Sequence, residues 1–374
     1  MSIHAEPELA FEEHRTVERL LQPLERAGFT VERPLGGLAT AFRASRTFGR
    51  SGPRIALLAE YDALPELGHA CGHNLIGTAA VGAAVTAAEQ LERSSVDFTL
   101  EVVGCPAEEG GGGKILLIEA GAFNGVDAAL MFHPSHRTMP VRSSLAATRL
   151  TLKFHGKASH AATNPHLGIN ALDACIQTFN AINALRQHFP DEYRVHGIIS
   201  NGGSAPNVVP DFAEARFLVR HRHLEQVTQL KQKVIRAAEG AAMSVGARVE
   251  VEEGMMLAER INNFPLAQRF ARYLVEQGIE LQEPPTVGGV GSSDFGNLSH
   301  VLPAIHPYLK IAPQGTSNHT PAFAEAAGSP EGLAGMVTAA KALAATAVDL
   351  ALEPELLERA KADFAATVPQ PQSS

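Results

Sequence analysis

Seven side chains capable of metal or acid–base chemistry stand beside strand-like runs. Asp62 ends "IALLAEYD", Cys71 and His73 share "GHACGHNLIG", Glu108 and Glu109 share "PAEEGGGG", His133 ends "AALMFH", and His319 lies in "TSNHTP". Thiolate, imidazole and carboxylate are the usual donors to a transition metal, and the Cys-x-His spacing lets two side chains of one loop reach a shared ion. Neighbouring carboxylates on an extended segment point to opposite sides. One of the pair can then bind the ion while the other acts as general base on metal-bound water. Each motif alone has an ordinary reading: a Cys or His near a helix start packs or caps, and paired glutamates before glycines form a solvated turn. The glycine run is not a phosphate loop, because Glu108 stands six positions before Lys114 where glycine is needed and Ile115 replaces the Ser or Thr.

The elements that must carry these residues alternate. A helix is expected over 12–27, with Val17, Leu20, Leu21 and Leu24 at helical spacing, followed by strand 55–62 and a small-residue helix 75–91. Strand 98–104, helix 114–121 and strand 128–133 come next, and helix 266–278, strand 304–312 and helices 330–351 and 354–366 end the chain before a frayed "TVPQPQSS". This order predicts an α/β fold with a mainly parallel sheet and helices on both faces. Its ligands would bind beyond the carboxyl ends of the strands, which is where the seven residues fall. Between the two halves the pattern is strand 148–156, helix 169–186, strands 195–200 and 213–221, helix 225–244 and strand 247–253. That order predicts an inserted ferredoxin-like βαββαβ domain. The expected division is 1–145 and 257–374 for the catalytic domain and 146–256 for the insertion.

With 374 residues the chain is long enough for two cores. A net charge of −9 without a basic cluster excludes nucleic acid as a partner, since phosphates would be repelled. The absence of an apolar run near 18 residues predicts no membrane span. "MSIHAEPELAFEEH" lacks the basic head and apolar stretch of a secretory signal, and Cys71, Cys105 and Cys175 are too few and too far apart for a disulfide framework, so the expected location is cytoplasmic.

Nine segments occur in an order that resembles the aminoacylase and carboxypeptidase-type amidohydrolases of metallopeptidase family 20. They are "IHAEPELAFEEH", "AEYDALPELGHACGHN", "PAEEGGGGK", "MFHP", "FHGKASHAA", "GINALDA", "NVVPD", "SSDFGNLS" and "HTPAF". They span nearly the whole chain. Asn74 and Leu75 after "GHACGH" resemble the branch holding the peptidase domain-containing protein 2 dipeptidases and the B-type subunits of aminobenzoyl-glutamate hydrolase.

The resemblance implies a role for each matching position. Cys71, His73, Glu109, His133 and His319 match the metal ligands, and Glu108 matches the general base. Asp62 matches the aspartate that orients a ligand histidine. His160 matches a lid histidine that stabilises the oxyanion, often in the site of the neighbouring subunit, whereas without the resemblance it reads as a surface histidine. Asn207 and Arg220 match lid positions that hold substrate, Arg220 through a carboxylate; alone they read as turn chemistry and a solvated or ion-paired face. The implied cofactor is one or two divalent ions, manganese or zinc, with cobalt and nickel compatible. The implied reaction is hydrolysis of the amide bond of an N-acyl-amino acid or dipeptide by water that the glutamate activates, in a homodimer formed through the lid.

Glu60 stands where many relatives have Asp or His, and Ser293 where the wider family has Glu, which leaves the metal count open. The first residues fall inside the "IH..PEL" motif. Ser293 and the start of the chain support one alternative, a catalytically weak metal- or ligand-binding homologue with a regulatory role. A serine hydrolase using Ser292 or Ser293 is weaker still, because "GVGSSDFG" lacks the GxSxG elbow.

Overall fold

The computed structural model describes residues 1–50, 52–190, 192–284 and 291–368. The expected tail beyond 368 lies outside them. The strands in chain order are β1 (Thr30–Glu32), β2 (Phe42–Phe48), β3 (Arg54–Ala59), β4 (Phe98–Gly104), β5 (Ala128–Leu130), β6 (His133–Ser135), β7 (Ala146–His155), β8 (Arg194–Asn201), β9 (Phe212–His221), β10 (Arg248–Leu257), β11 (Ala304–Ile305) and β12 (Tyr308–Lys310). The chain forms two compact units: the described residues of Met1–Ser143, Arg260–Gly289 and Ser293–Ser374, and those of Ser144–Glu259 and Val290–Ser292.

In the first unit a six-stranded sheet has the order β1-β2-β4-β3-β5-β11. Strands β4, β3, β5 and β11 are parallel, and β2 and β1 extend the β4 edge antiparallel. Every residue of β4 is buried, as are Ile55 to Ala59 of β3, which is the unbroken apolar pattern of strands covered on both faces. Strand β2, "FRASRTF", was not expected, because its arginines and serine interrupt the apolar alternation. Helix His73–Leu91 lies close against β3 through small residues, and a Cβ on its Gly77 would come 2.9 Å from the Glu60 carbonyl oxygen. The 23-residue helix Pro330–Leu352 is apolar and long enough to cross a membrane by composition, contrary to the sequence expectation. It packs on helices His73–Leu91 and Phe264–Glu276, burying Ala339, Ala342, Leu343 and Ala347, so it is placed as a core helix.

Two expected strands are each broken. The run 128–133 divides into β5 and β6, and the run 304–312 into β11 and β12; β5 pairs with β11 in the main sheet, while β6 pairs with β12 in a separate parallel ribbon. Pro134 and Pro307 supply no N–H to a continuing ladder, and the Pro307 carbonyl instead accepts the His133 N–H at 2.8 Å. His133 therefore starts β6 rather than ending the preceding strand.

The second unit has the expected βαββαβ order and forms a four-stranded antiparallel sheet, β10-β7-β9-β8. Helices Ala171–Arg186 and Leu224–Ser244 pack on one face and on each other around Leu150, Leu152, Phe154, Phe217, Val227 and Leu230. Asn170 caps the first of these helices by accepting the N–H groups of Leu172 and Asp173. Strand β8 is an edge.

Candidate active site

The carboxyl ends of the parallel strands of the first unit converge on one cluster. Strand β3 leads into Glu60 and Asp62, β4 into Glu108 and Glu109, and β6 begins at His133. Gly72 precedes helix His73–Leu91 with φ +79°, and a Cβ there would lie 2.8 Å from Pro134 Cγ. Only glycine accommodates both the left-handed turn and that approach, so the backbone itself sets Cys71 and His73 against β6. His319 also has positive φ, +62°, and its N–H donates to the Ala70 carbonyl at 2.9 Å, tying the late loop to the Cys-Gly-His loop.

Asp62 orients His73, with Oδ1 2.9 Å from Nδ1. The other ring nitrogen, Nε2, is buried, has no hydrogen-bond partner among the described residues, and faces Glu60 Oε2 at 3.5 Å and one oxygen each of Glu108 and Glu109 at 3.9 Å. Cys71 Sγ lies 3.5 Å from His133 Nε2, whose Nδ1 donates to the Pro134 carbonyl at 2.7 Å. His319 Nε2 is 3.2 Å from Glu109 Oε1. Donor atoms within 4.8 Å of one another form three sets: Cys71, His73 and His133; Cys71, Glu109 and His319; and His73, Glu108 and Glu109. The structure thus brings together Cys71, His73, Glu108, Glu109, His133, His319 and Asp62.

One detail corrects the sequence reading. Glu108 and Glu109 occupy a turn, not an extended segment, entered through Ala107 at φ +58°. Asp62 Oδ2 accepts the Glu109 N–H at 2.9 Å, and both carboxylates face His73 rather than opposite sides.

Burial and mutual charge shift the cluster's groups strongly. Burial pushes the Cys71 thiol up to about 12 and the His133 imidazole down to about 4. Burial, with Glu60, Asp294 and Glu109, raises Glu108 well above the carboxylate range. Burial works against His73 as well, yet Cys71 and Asp62 raise it well above its ordinary value. A divalent cation reverses this pattern, since it binds thiolate and neutral imidazole and displaces their protons. The buried, unpartnered Nε2 of His73 and the three convergent sets of thiol, imidazole and carboxylate donors fit such an ion.

The three residues expected in the lid belong to the second unit. His160 is exposed, and its Nδ1 accepts from Thr163 Oγ1 at 2.7 Å. It bridges Val208, and the Asn207 carbonyl accepts the Ala161 N–H at 3.0 Å, so His160 and Asn207 are neighbours. Arg220 lies opposite Ala147 and Arg194, at the far end of the sheet from Phe212, which pairs with His155 near the His160 loop.

A family model described as peptidase dimerisation domain matches residues 143–244. The chain is 41% identical over 377 residues to the Xaa-Arg dipeptidase of Mus musculus, covering 97% of this chain and 87% of that protein. The chain belongs to the M20 peptidase family. It is also 42% identical over 263 residues to the B-type subunit of p-aminobenzoyl-glutamate hydrolase from Escherichia coli K12, covering 65% of this chain and 54% of that relative. A Bacillus subtilis crystal structure described as a dinuclear metal-binding peptidase of the M20 family has the same fold, with a TM-score of 0.71 at 23% identity over 94% of this chain and 96% of that one. These M20 relatives hydrolyse peptide or amide bonds, and this chain is a hydrolase of that family.

The M20 site contains residues that the sequence analysis left without roles. Lys114 is fully buried between Glu60 and Asp294, with Nζ 2.6 and 2.7 Å from their oxygens. His306 stacks on His133, with ring centroids 5.1 Å apart. Asn318 donates to Cys71 Sγ at 3.7 Å. The glycine-flanked Lys114 was the one available signal; the others declare themselves only by contact. Ser293 Oγ accepts the Phe295 N–H at 3.2 Å, one residue ahead of Asp294, the N-cap of the short helix Phe295–Ser299.

Proposed function

We propose that this M20 enzyme is a metal-dependent amidohydrolase that cleaves the amide bond of dipeptides or N-acyl-amino acids, with Cys71, His73, Glu109, His133 and His319 holding one or two divalent ions. The observation that carries the reading is His73: oriented by Asp62 on one side, it presents a buried, unsatisfied Nε2 to a thiol, a second imidazole and two carboxylates. When bound, the ion polarises the scissile carbonyl and makes water more acidic.

The chain's own residues do the rest. Glu108, which faces His73 alongside Glu109, takes the proton of the attacking water and returns it to the departing amine. Asp62 keeps Nδ1 of His73 protonated, so Nε2 presents its lone pair. His160, with Nδ1 occupied by Thr163, has Nε2 available to donate to the oxyanion, and Asn207 and Arg220 hold the substrate.

A homodimer through the second unit belongs to the same reading. It is supported by the dimerisation-domain match and by edge strand β8, whose Ile198 and Ile199 are exposed beside unpaired backbone groups that another copy can cover. A reducing, cytoplasmic location agrees with three free cysteines, one of which the site needs as thiolate.

Dipeptides with a basic C-terminal residue are the favoured substrates, because the Xaa-Arg dipeptidase is matched over 87% of its length against 54% for the aminobenzoyl-glutamate hydrolase relative. The test is a hydrolysis panel of such dipeptides, N-acyl-amino acids and aminobenzoyl-glutamate, with manganese, zinc or cobalt and with a chelator control. Turnover that survives chelation would defeat the proposal.

A further inference from the structure

Lys114 is a cation with no exposure, which is costly unless it is paired and hydrogen-bonded. Its Nζ lies 2.6 Å from Glu60 Oε1 and 2.7 Å from Asp294 Oδ1, and its backbone N–H donates to Asp294 Oδ2 at 2.9 Å. The three residues come from the end of β3, the first turn of helix Gly113–Glu119 and the residue before helix Phe295–Ser299.

A purely structural ion pair would commit both carboxylate oxygens of Glu60 to the lysine or to other donors, because buried polar atoms are nearly always satisfied. Here Oε2 turns away. It is buried, has no hydrogen bond among the described residues, and lies 3.5 Å from His73 Nε2, which also has none. Once an ion displaces the proton of His73, Nε2 is an acceptor facing a second acceptor, an arrangement that is favourable only with the cation between them. Oxygen and nitrogen bound to one ion at about 2.0–2.2 Å stand about 3–3.5 Å apart, which is the spacing seen.

We infer that Glu60 is a further carboxylate ligand of the metal centre, and that Lys114, clamped by Asp294, is the positioning residue that holds it with one oxygen presented to the ion. The inference rests on the proposed metal centre. It also gives one departure from the family pattern, Glu60, a partner in Lys114.

The test is equilibrium dialysis of the full chain against zinc and cobalt at buffered free concentration, with metal counted per chain and the visible spectrum of the Co(II) form recorded. Glu60→Gln leaves Lys114 an acceptor but removes the anionic donor; its affinity is expected to fall by about tenfold or more, with displaced Co(II) bands, in a chain that still folds by circular dichroism. The double variant Lys114→Met with Asp294→Asn removes one charge of each sign and leaves Glu60 untethered; its Co(II) bands are expected to move too. Unchanged affinity and spectrum in folded Glu60→Gln overturn the inference, while metal binding by the wild type and its loss in Cys71→Ala would leave the metal centre standing. Should Glu60→Gln not fold, the double variant Glu60→Gln with Lys114→Met, which removes one charge of each sign together with the anionic donor, is read the same way. A wild type that binds neither metal overturns both.

Discussion

Asp62 Oδ1 lies 2.9 Å from His73 Nδ1 and the Asp62 carbonyl oxygen 3.1 Å from the same nitrogen, so one residue determines which ring nitrogen faces the cluster. The carboxylate's other oxygen accepts the Glu109 N–H at 2.9 Å, so one side chain sets two proposed ligands. Replacing Asp62 by Ala should weaken metal affinity about 10- to 100-fold with the fold retained. Metal titration of the purified variant checks this, and full affinity would mean that His73 needs no orienting partner.

Glu108→Gln separates binding from chemistry. Metal content should match that of the wild type while kcat falls by roughly 10² to 10⁴. Parallel metal analysis and initial rates decide it; a near-normal rate would remove Glu108 from the role of base.

Cys71→Ala should instead lower metal occupancy, because Sγ belongs to two of the three donor sets. Chelation of the wild type should lower its melting temperature, since an ion bound at 100 times its Kd stabilises the folded state by about 2.7 kcal/mol. Differential scanning calorimetry with and without chelator reads both effects. Full occupancy in Cys71→Ala would make it a packing residue.

Glu8 predicts a dependence on acid away from the site. Its carboxylate accepts the Thr16 N–H at 2.7 Å and the Arg15 N–H at 3.1 Å, at the start of helix His14–Arg26. Burial works to raise its pKa, but these hydrogen bonds bring it below the ordinary value of 4.5. A depressed folded-state pKa contributes stability that is complete above 4.5 and is lost as pH falls through the lower, folded value. Glu8→Gln should therefore cost about 1–2 kcal/mol at neutral pH. Denaturant melts of the two proteins should converge in strong acid, and a constant gap across that range would refute the assignment.

The proposed role of His160 in the neighbouring subunit's site has a mixing test. Glu108→Gln and His160→Ala chains, each nearly inactive alone, should recover about a quarter of wild-type sites when randomly reassociated, because half the dimers are hybrids and one site in each hybrid is whole. No recovery would mean that each chain completes its own site.

Much of this was legible because the chain is locally consistent. The second unit's alternating strands and amphipathic helices announce their order, and the seven metal-type residues sit where parallel strands end. Three things were not legible. Strand β2 hides apolar alternation among arginines, and the glutamate turn depends on Ala107 adopting a left-handed conformation that its type does not advertise. The Glu60, Lys114 and Asp294 contact joins segments up to 234 positions apart, too distant for spacing to reveal.

The small ribbon of β6 and β12 gives the fold an unusual sensitivity to chain length. Its pairing aligns His133 with Tyr308, Pro134 with Leu309 and Ser135 with Lys310. Side chains alternate along such a ribbon, so deleting one residue between β5 and β6 would slide the frame and turn His133 away from Cys71 while barely altering composition. Substitutions nearby can be absorbed by repacking, but an indel of odd length cannot.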